Sequence, residues 1–371
     1  MAIAVGKLES QRIGPRSQVW SENECLEKAA YDFAKTEDML YEAEKICGPY
    51  VWGIYDILVL PPSFPHRGME NPCMTFVSPT LLTGDRSLSG VIAHEIAHSW
   101  TGNLITNKNF EHFWLNEGFT VFIEHKIVGR MSGEPARHFC AILRLKELKY
   151  SVLEVQGKDN VLTKLIVDLD GVDPDEAFSS VPYVKGSIFL WYLEDMVGGP
   201  DIFEPFLRCY FDHFMYQSID SYQFKDFFLA HFKDKDLSFI EWENWFKQPG
   251  MPIYEPNYDQ SMALACNTLK QKWIDWKESK ELCPLDSYDF FELSSLQKIE
   301  FLGQLLEEKP LSIEKLKKME KLYELSSHNN SEIKFKWIRL GLKGKWIDAI
   351  PRATSMMNES GLLKFVRPLY R

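Results

Sequence analysis

Two histidines stand four positions apart in the segment SLSGVIAHEIAHSWTGN, residues 87–103, with a glutamate between them. Residues four apart share one face of an α-helix, so the rings of His94 and His98 can reach a single point. Neutral imidazole nitrogens are common zinc ligands, and Glu95 lies about 100° further round the helix, close to such an ion without binding it. The spacing therefore predicts a zinc-binding pair with an adjacent general base.

A catalytic zinc ion needs a third protein ligand and an open position for water. The segment WLNEG supplies Glu117, 19 residues beyond His98, on the next predicted helix. The alternative interpretation is a buried histidine pair beside a surface acid, but buried ring nitrogens with nothing to bind are costly. We therefore expect one Zn²⁺ ion held by His94, His98 and Glu117.

The elements that must position these side chains follow from the pattern of apolar residues. The pattern turns helical from about Leu88, and a second helical stretch covers residues 113–129. Residues 52–62 form an apolar run ended by two prolines, which predicts a buried strand. Residues 1–7 alternate weakly, which indicates an edge strand.

A chain of 371 residues is longer than one hydrophobic core usually serves, so two domains are expected. The clearest break is KQPGMPIYEPNYD, where prolines fix the backbone, and it predicts a linker over residues 248–259. Beyond it, SLQKIEFLGQLLEE, SIEKLKKMEKLYEL and SEIKFKWIRLGLKGKW carry apolar residues at helical spacing. These segments predict a stack of antiparallel helices over residues 260–371.

The composition limits the partners of this chain. Its formal net charge of −11 argues against nucleic acid and anionic membrane surfaces, and it does not exclude an acidic funnel that favours substrates carrying a free amino group. The seven cysteines are scattered and form no CxxC pair, as is typical of reduced thiols. No signal peptide and no apolar run long enough to insert into a membrane is visible. We expect a cytoplasmic, monomeric protein.

Three motifs together resemble a known family. HEIAH, the NEG glutamate 19 positions later and GMEN (residues 68–71) are similar to the gluzincin aminopeptidases of peptidase family M1. NPCMTFVSPTLLTGDRSLSGVIAHEIAHSWTGNLITN and DPDEAFSSVPYVKG resemble its leukotriene A4 hydrolase branch, and the similarity runs through essentially the whole chain.

The resemblance implies a fold class and a domain order. An α+β, thermolysin-like catalytic domain, mostly helical with a small sheet, would cover residues 9–247. An all-α, helical-repeat-like domain, incomplete at its end, would follow the linker. Residues 1–8 would be the remnant of the family's N-terminal β-domain, so the chain is expected to be truncated.

The resemblance also assigns roles to individual residues. It implies that Glu95 is the general base and that Tyr183, in VPYVKG, donates a hydrogen bond to the oxyanion of the transition state. Glu70 would hold the α-ammonium group of a peptide, in a substrate-binding segment that also contains Gly68, Met69 and Asn71. Glu124 lies seven residues after Glu117, and either orients one of the histidines or lies on a solvated surface.

Several positions depart from the pattern of the branch. Lys364 matches one half of its carboxylate-binding pair, but Leu362 stands where the pattern has an arginine. Asp175, which the branch uses in epoxide hydrolysis, is kept and is otherwise a turn acid, while Phe178 replaces a pocket tyrosine. Residues 66–67, His-Arg, replace an aromatic residue and a glycine.

The leading hypothesis is a zinc aminopeptidase that removes N-terminal residues from peptides with a free N-terminus. A lipid epoxide is a second substrate class that the resemblance implies, and the departures at Leu362 and Phe178 weaken it. The alternative hypothesis is a truncated, inactive zinc-binding remnant that serves as a scaffold or interaction module. The intact set of zinc ligands, base and tyrosine favours the enzyme.

Overall fold

The structure is a computed structural model that describes residues 2–277 and 283–370. The chain divides into two compact units, each made of separate segments. The first unit contains residues 1–35, 55–91 and 260–371, and the second contains residues 36–54 and 92–259. The domain limits expected from the sequence stay predictions. Some residues within those limits lie outside the described part of the chain, namely Met1, residues 278–282 and Arg371.

The first unit contains a five-stranded sheet with the order β1-β2-β3-β5-β4. Its strands are β1 (Glu9–Arg12), β2 (Gln18–Ser21), β3 (Asp56–Val59), β4 (Gly68–Met69) and β5 (Met74–Val77). The two central pairs, β2 with β3 and β3 with β5, are parallel, and both edge pairs are antiparallel. The edge strand expected over residues 1–7 is wrong, because among the described residues the first strand begins at Glu9.

Strand β3 is the buried centre of this sheet. All four of its residues are buried, as the apolar run predicts, although the strand is shorter than the expected 52–62. The buried carboxylate of Asp56 accepts from the amide of Gln18 at 3.1 Å and from Trp20 Nε1 at 2.9 Å, which ties β2 to β3. At the edge, Gly68 and Met69 of β4 pair with β5, so the GMEN segment begins on a strand.

Helices are the main secondary structure of both units. In chain order they are α1 (Asn23–Asp32), α2 (Thr36–Cys47), α3 (Gly90–Ala97), α4 (Trp114–Ser132), α5 (Glu134–Tyr150), α6 (Pro174–Ala177), α7 (Val181–Val197), α8 (Pro200–Phe214), α9 (Ser221–His231), α10 (Trp242–Lys247), α11 (Ser261–Asp275), α12 (Tyr288–Phe291), α13 (Ser295–Glu307), α14 (Ile313–Tyr323), α15 (Ser331–Lys343), α16 (Ala349–Glu359) and α17 (Leu363–Tyr370). A small parallel sheet, β6 (Ile105–Asn107) with β7 (Gln217–Ile219), belongs to the second unit.

Helix α4 is the centre of the second unit, and it packs most extensively against α7. Its residues are buried on almost all sides, which is typical of a helix inside a core rather than on a surface. Aromatic side chains fill the space around it. Trp114, Phe119, Phe189, Phe224 and Phe246 are each fully buried. Helices α4 and α7 therefore lie in an aromatic core.

The helices of the first unit that follow residue 260 have the periodicity that the sequence predicts. Helix α13 begins with a capping box in which Ser294 accepts from the Gln297 amide and the Gln297 side chain accepts from the Ser294 amide. Its apolar stripe places Phe301, Leu302 and Leu305 in the core. The predicted fold class, mostly helical with a small sheet and a helical C-terminal part, is confirmed.

Candidate metal centre and active site

His94 and His98 project from α3 toward one place. The amide of His98 donates to the carbonyl of His94 at 3.2 Å, so the helical turn continues through the motif although the regular helix ends at Ala97. The two Nε2 atoms lie 3.2 Å apart. The four-residue spacing thus brings the rings together as expected from helix geometry.

Glu117, in the first turn of α4, completes a set of three converging side chains. Its Oε2 atom lies 3.5 Å from Nε2 of His94 and 3.5 Å from Nε2 of His98. This oxygen is buried and has no hydrogen-bond partner among the described residues. Atoms about 2.0–2.1 Å from a tetrahedral ion lie about 3.3–3.4 Å from one another. The three separations match those edges, so the residues fit a zinc ion.

The outer nitrogen of His98 is held by acceptors from two elements. Its Nδ1 atom lies 2.9 Å from the carbonyl oxygen of Thr101, 2.9 Å from Asn116 Oδ1 and 3.1 Å from Thr120 Oγ1. A proton on Nδ1 can be donated to these oxygens, which leaves the Nε2 lone pair for a metal. Neither Asn116 nor Thr120 was predicted from the sequence. Their signal was available: Asn116 directly precedes Glu117, and Thr120 follows one turn later on α4.

The outer nitrogen of His94 faces an acid. Its Nδ1 atom lies 2.8 Å from Glu124 Oε2, and Arg144 Nη2 lies 3.6 Å from the same oxygen. Glu124 therefore contacts a histidine rather than only solvent. The role of this carboxylate in orienting the ring stays a prediction.

The electrostatics of this cluster favour positive charge at its centre. Burial lowers the pKa of His94, but the nearby carboxylates of Glu117 and Glu124 outweigh it and raise that pKa to about 10. Burial raises the pKa of Glu117, but the charges of His98 and His94 outweigh it and hold the pKa below its usual value. Glu124 behaves alike: burial is outweighed by Arg144 and His94, and its pKa falls well below the usual range. Glu117 and Glu124 thus stabilise positive charge on His94 from the sides of its two ring nitrogens.

Glu95 lies between the two histidines in sequence and is buried, with an exposed fraction of 5%. Its negative charge is one of the causes that raise the pKa of His94. A general base must lie within hydrogen-bond reach of the proton that it takes. Glu95 belongs to the same cluster as His94 and His98, as a general base for this site must.

Tyr183, in the first turn of α7, lies against this cluster. Its ring stacks on His94 with centroids 6.4 Å apart, and Phe113 and Phe178 each contact it edge-on at 6.2 Å. A hydrogen bond from its hydroxyl contributes to the low pKa of Glu117. The hydroxyl of Tyr183 and the carboxylate of Glu117 therefore share one site.

Two glycines allow α4 and α7 to cross at close range. A β-carbon added to Gly118 would lie 2.8 Å from the Cα atom of Gly186, and one added to Gly186 would lie 2.9 Å from the Cα atom of Gly118. Gly118 follows Glu117, and Gly186 lies one turn after Tyr183. The direct backbone contact between the helices brings these two side chains together.

Two segments of the chain match known protein families. The Peptidase family M1 domain matches residues 31–245, more than half of the chain. This chain belongs to peptidase family M1. A second profile, Leukotriene A4 hydrolase, C-terminal, matches residues 293–371.

Curated relatives in the M1 family match the whole chain. Leukotriene A-4 hydrolase of Xenopus laevis is 52% identical over 100% of this chain and 61% of its own length. Leucine aminopeptidase 2 of Ajellomyces capsulatus is 44% identical over 100% of this chain and 60% of its own length. The chain thus spans about three fifths of the length of these relatives.

Solved M1 structures have the same fold. Yeast LTA4 hydrolase in complex with bestatin superimposes with a TM-score of 0.94 at 37% identity, over 98% of this chain and 62% of that chain. An M1 zinc metallopeptidase from Deinococcus radiodurans gives a TM-score of 0.53 at 20% identity, over 68% of this chain and 55% of that chain. The second likeness concerns the fold alone.

The M1 motif GMEN lies in the first unit. Gly68 and Met69 form β4, and Glu70 and Asn71 follow directly, with Glu70 half-buried. Buried Asn71 Nδ2 has no hydrogen-bond partner in the described part of the chain. The substrate-binding roles of these four residues stay predictions.

The predicted carboxylate-binding position of the M1 branch also lies in the first unit. Lys364 Nζ pairs with Glu332 Oε1 at 2.6 Å, and Arg67 Nη2 lies 4.0 Å from the same oxygen. Leu362 is buried in an apolar cluster with Phe365. The cation at residue 364 is therefore already neutralised by an acid, and residue 362 offers only packing.

Asp175 lies in the first turn of the short helix α6, and its side chain is exposed. Phe178, at the end of that helix, is 68% exposed and contacts Tyr183. The role of Asp175 stays a prediction.

Among the described residues, no helix combines the length and apolar character that crossing a bilayer requires.

Proposed function

We propose that this chain is a zinc-dependent aminopeptidase. The observation that carries the proposal is the convergence of His94 Nε2, His98 Nε2 and Glu117 Oε2 at 3.2–3.5 Å from one another. Membership of the M1 family supports it, and so do the names of the relatives, which include leucine aminopeptidase 2.

One Zn²⁺ ion would be held by His94, His98 and Glu117, because all three donors are types that zinc prefers. When bound, zinc increases the acidity of a water molecule and polarises a carbonyl group. The hydrogen bonds at the outer nitrogens would keep both imidazoles in the ligating tautomer.

The protein's own residues would supply the proton transfers and the substrate contacts. Glu95 would accept a proton from the attacking water and return it to the leaving amine. Tyr183 would donate a hydrogen bond to the carbonyl oxygen as negative charge develops there, worth about 3–4 kcal/mol in the transition state. Glu70 would pair with the substrate α-ammonium, which selects peptides with a free N-terminus.

Lipid epoxide hydrolysis is the second activity that the resemblance implies. The observations favour it less than peptide hydrolysis. A lipid carboxylate would need an unpaired cation, whereas Lys364 is paired with Glu332 and residue 362 is a buried leucine. We therefore propose peptide hydrolysis as the main activity. A monomeric, cytoplasmic protein stays the prediction from sequence.

Hydrolysis of an aminoacyl-arylamide by the 371-residue chain, with and without a chelator, tests the proposal. We expect turnover that the chelator removes and that added Zn²⁺ restores. Glu95→Gln should keep the metal and lose turnover, because the amide cannot take a proton. A folded, zinc-loaded chain without chelator-sensitive turnover would support the scaffold hypothesis instead.

A further inference from the structure

Lys185 is a buried lysine on α7. Its exposed fraction is 1%, and no carboxylate in the described part of the chain lies within ion-pair distance of it. Burial lowers the pKa of its ammonium group to about 8. Lysine is almost never fully buried unless it is paired, so the position calls for a specific use of this side chain.

The ammonium group donates to three backbone carbonyls from two separate segments. Lys185 Nζ lies 3.1 Å from the carbonyl oxygen of Thr163, 2.7 Å from that of Gln248 and 3.1 Å from that of Gly250. Three donors thus meet three acceptors, which is the full capacity of the group. The segments are also joined directly, since the Gly250 amide donates to Thr163 Oγ1 at 2.6 Å.

These contacts close the base of a loop. Residues 164–180 run from Thr163 to the start of α7, and α6 is the only helix among them in the described structure. The bond from Lys185 to Thr163 joins the beginning of this loop to the helix at its end. Tyr183 lies between that end and Lys185.

The first turn of α7 needs such support. The first amides of a helix have no partner within it. In α7 the second residue, Pro182, has no amide to satisfy, but the N-cap residue Ser180 makes no side-chain capping hydrogen bond. Of these amides, that of Val181 finds the hydroxyl of Ser179 at 3.2 Å. A first turn without an N-cap side-chain bond frays more easily, yet this turn carries a tyrosine whose hydroxyl must stay beside Glu117.

We propose that Lys185 is a positioning residue for Tyr183: by holding Thr163, Gln248 and Gly250, it fixes the first turn of α7 and therefore the place of the Tyr183 hydroxyl. This inference rests on the proposed function of Tyr183. The Lys185 ammonium group donates to backbone carbonyls, so it acts through the backbone and not as a catalytic residue. Its effect falls on the transition state, in which the hydroxyl acts, rather than on substrate binding.

The kinetic test compares Lys185→Met, which keeps the volume and loses the donors, with Lys158→Met. Lys158 is an exposed lysine five residues before Thr163 and serves as the matched control. We expect Lys185→Met to lower kcat at least tenfold per zinc-loaded molecule with KM changed less than threefold. Lys158→Met should match the parent chain. A kcat for Lys185→Met within twofold of the parent would overturn the proposal.

Amide hydrogen exchange gives a readout that does not depend on activity. We expect faster exchange at residues 180–184, 161–166 and 248–251 in Lys185→Met than in Lys158→Met. Unchanged exchange there would overturn the proposal even if the parent chain proves inactive. An inactive parent chain with accelerated exchange would count against the proposed function while supporting the tie itself.

A milder pair of variants covers the case in which Lys185→Met does not fold. Thr163→Val removes the hydroxyl that accepts from Gly250 and keeps the carbonyl that Lys185 contacts, whereas Thr163→Ser keeps both. We expect kcat to fall about threefold in the valine variant, with faster exchange at residues 180–184, and to recover in the serine variant. Equal kcat and exchange in the two variants would contradict the proposal.

Discussion

The Cα atoms of Gly118 and Gly186 face each other at the crossing of α4 and α7, with no room for a side chain at either position. Each contact is with backbone, which cannot rotate aside as a flexible side chain could. Gly118 directly follows the proposed zinc ligand Glu117. Gly186 lies one turn after Tyr183. The geometry of the candidate site is therefore tied to the separation of two helices.

Gly186→Ala should force the two helices apart. Overpacking of a core typically costs about 1–3 kcal/mol, and the contact with backbone places this case at the upper end. We expect a lower free energy of unfolding in urea and a reduced zinc content. Gly90→Ala, at the start of α3, is the control because a β-carbon there meets nothing within 4 Å. Equal stability of the two variants would refute the close-crossing argument.

Tyr183→Phe removes one hydroxyl and leaves the aromatic contacts of the ring. If the hydroxyl stabilises the developing oxyanion, the loss of about 3–4 kcal/mol should lower kcat roughly 100- to 1,000-fold while zinc stays bound. Tyr192→Phe on the same helix is the matched control. Steady-state kinetics with metal analysis measures both, and a kcat that survives in Tyr183→Phe would remove the tyrosine from the mechanism.

Glu124→Gln should weaken zinc binding without touching a ligand. Partners of metal-bound histidines typically contribute about 10- to 100-fold to metal affinity, and Glu124 contacts His94 at 2.8 Å. Competition with a chromophoric chelator measures the affinity. Glu147→Gln, at the exposed acid that also pairs with Arg144, should leave it unchanged. The same affinity in both variants would mean that Glu124 does not orient the ring.

His125 predicts a loss of stability in mild acid. Burial lowers its pKa to about 4, and its Nε2 atom has no hydrogen-bond partner among the described residues. In the unfolded chain a histidine has a pKa of about 6.5. Between about pH 4 and 6.5 the unfolded chain therefore binds a proton at this residue that the folded chain does not bind. The free energy of unfolding should therefore fall as the pH falls from about 6.5 to 4, by up to about 3 kcal/mol from this residue.

His125→Asn should remove that contribution and flatten the acid limb of the stability profile. Urea denaturation at several pH values between 4 and 7 measures the slope. His213→Asn, at an exposed histidine, should keep the slope of the parent chain. A steep acid limb that persists in His125→Asn would assign the effect to other groups.

The sequence by itself determined the parts of the site that depend on local geometry. Helix periodicity places His94 and His98 on one face, and apolar periodicity predicts the helices after residue 260, because both follow from the repeat of a single helix. The apolar run before two prolines likewise predicts the buried strand β3, but it does not predict where that strand begins and ends.

Only the tertiary structure decided which residues from other elements meet the histidines. Asn116, Thr120 and Glu124 contact the ring nitrogens because α4 packs beside α3, and no spacing along one helix encodes that neighbour. Likewise, Lys185 is an ordinary cation in sequence, and it becomes a tie only where three carbonyls from distant segments surround it. Hydrogen bonds between distant segments depend on the packing of whole elements, which the order of residues expresses only after the chain has folded.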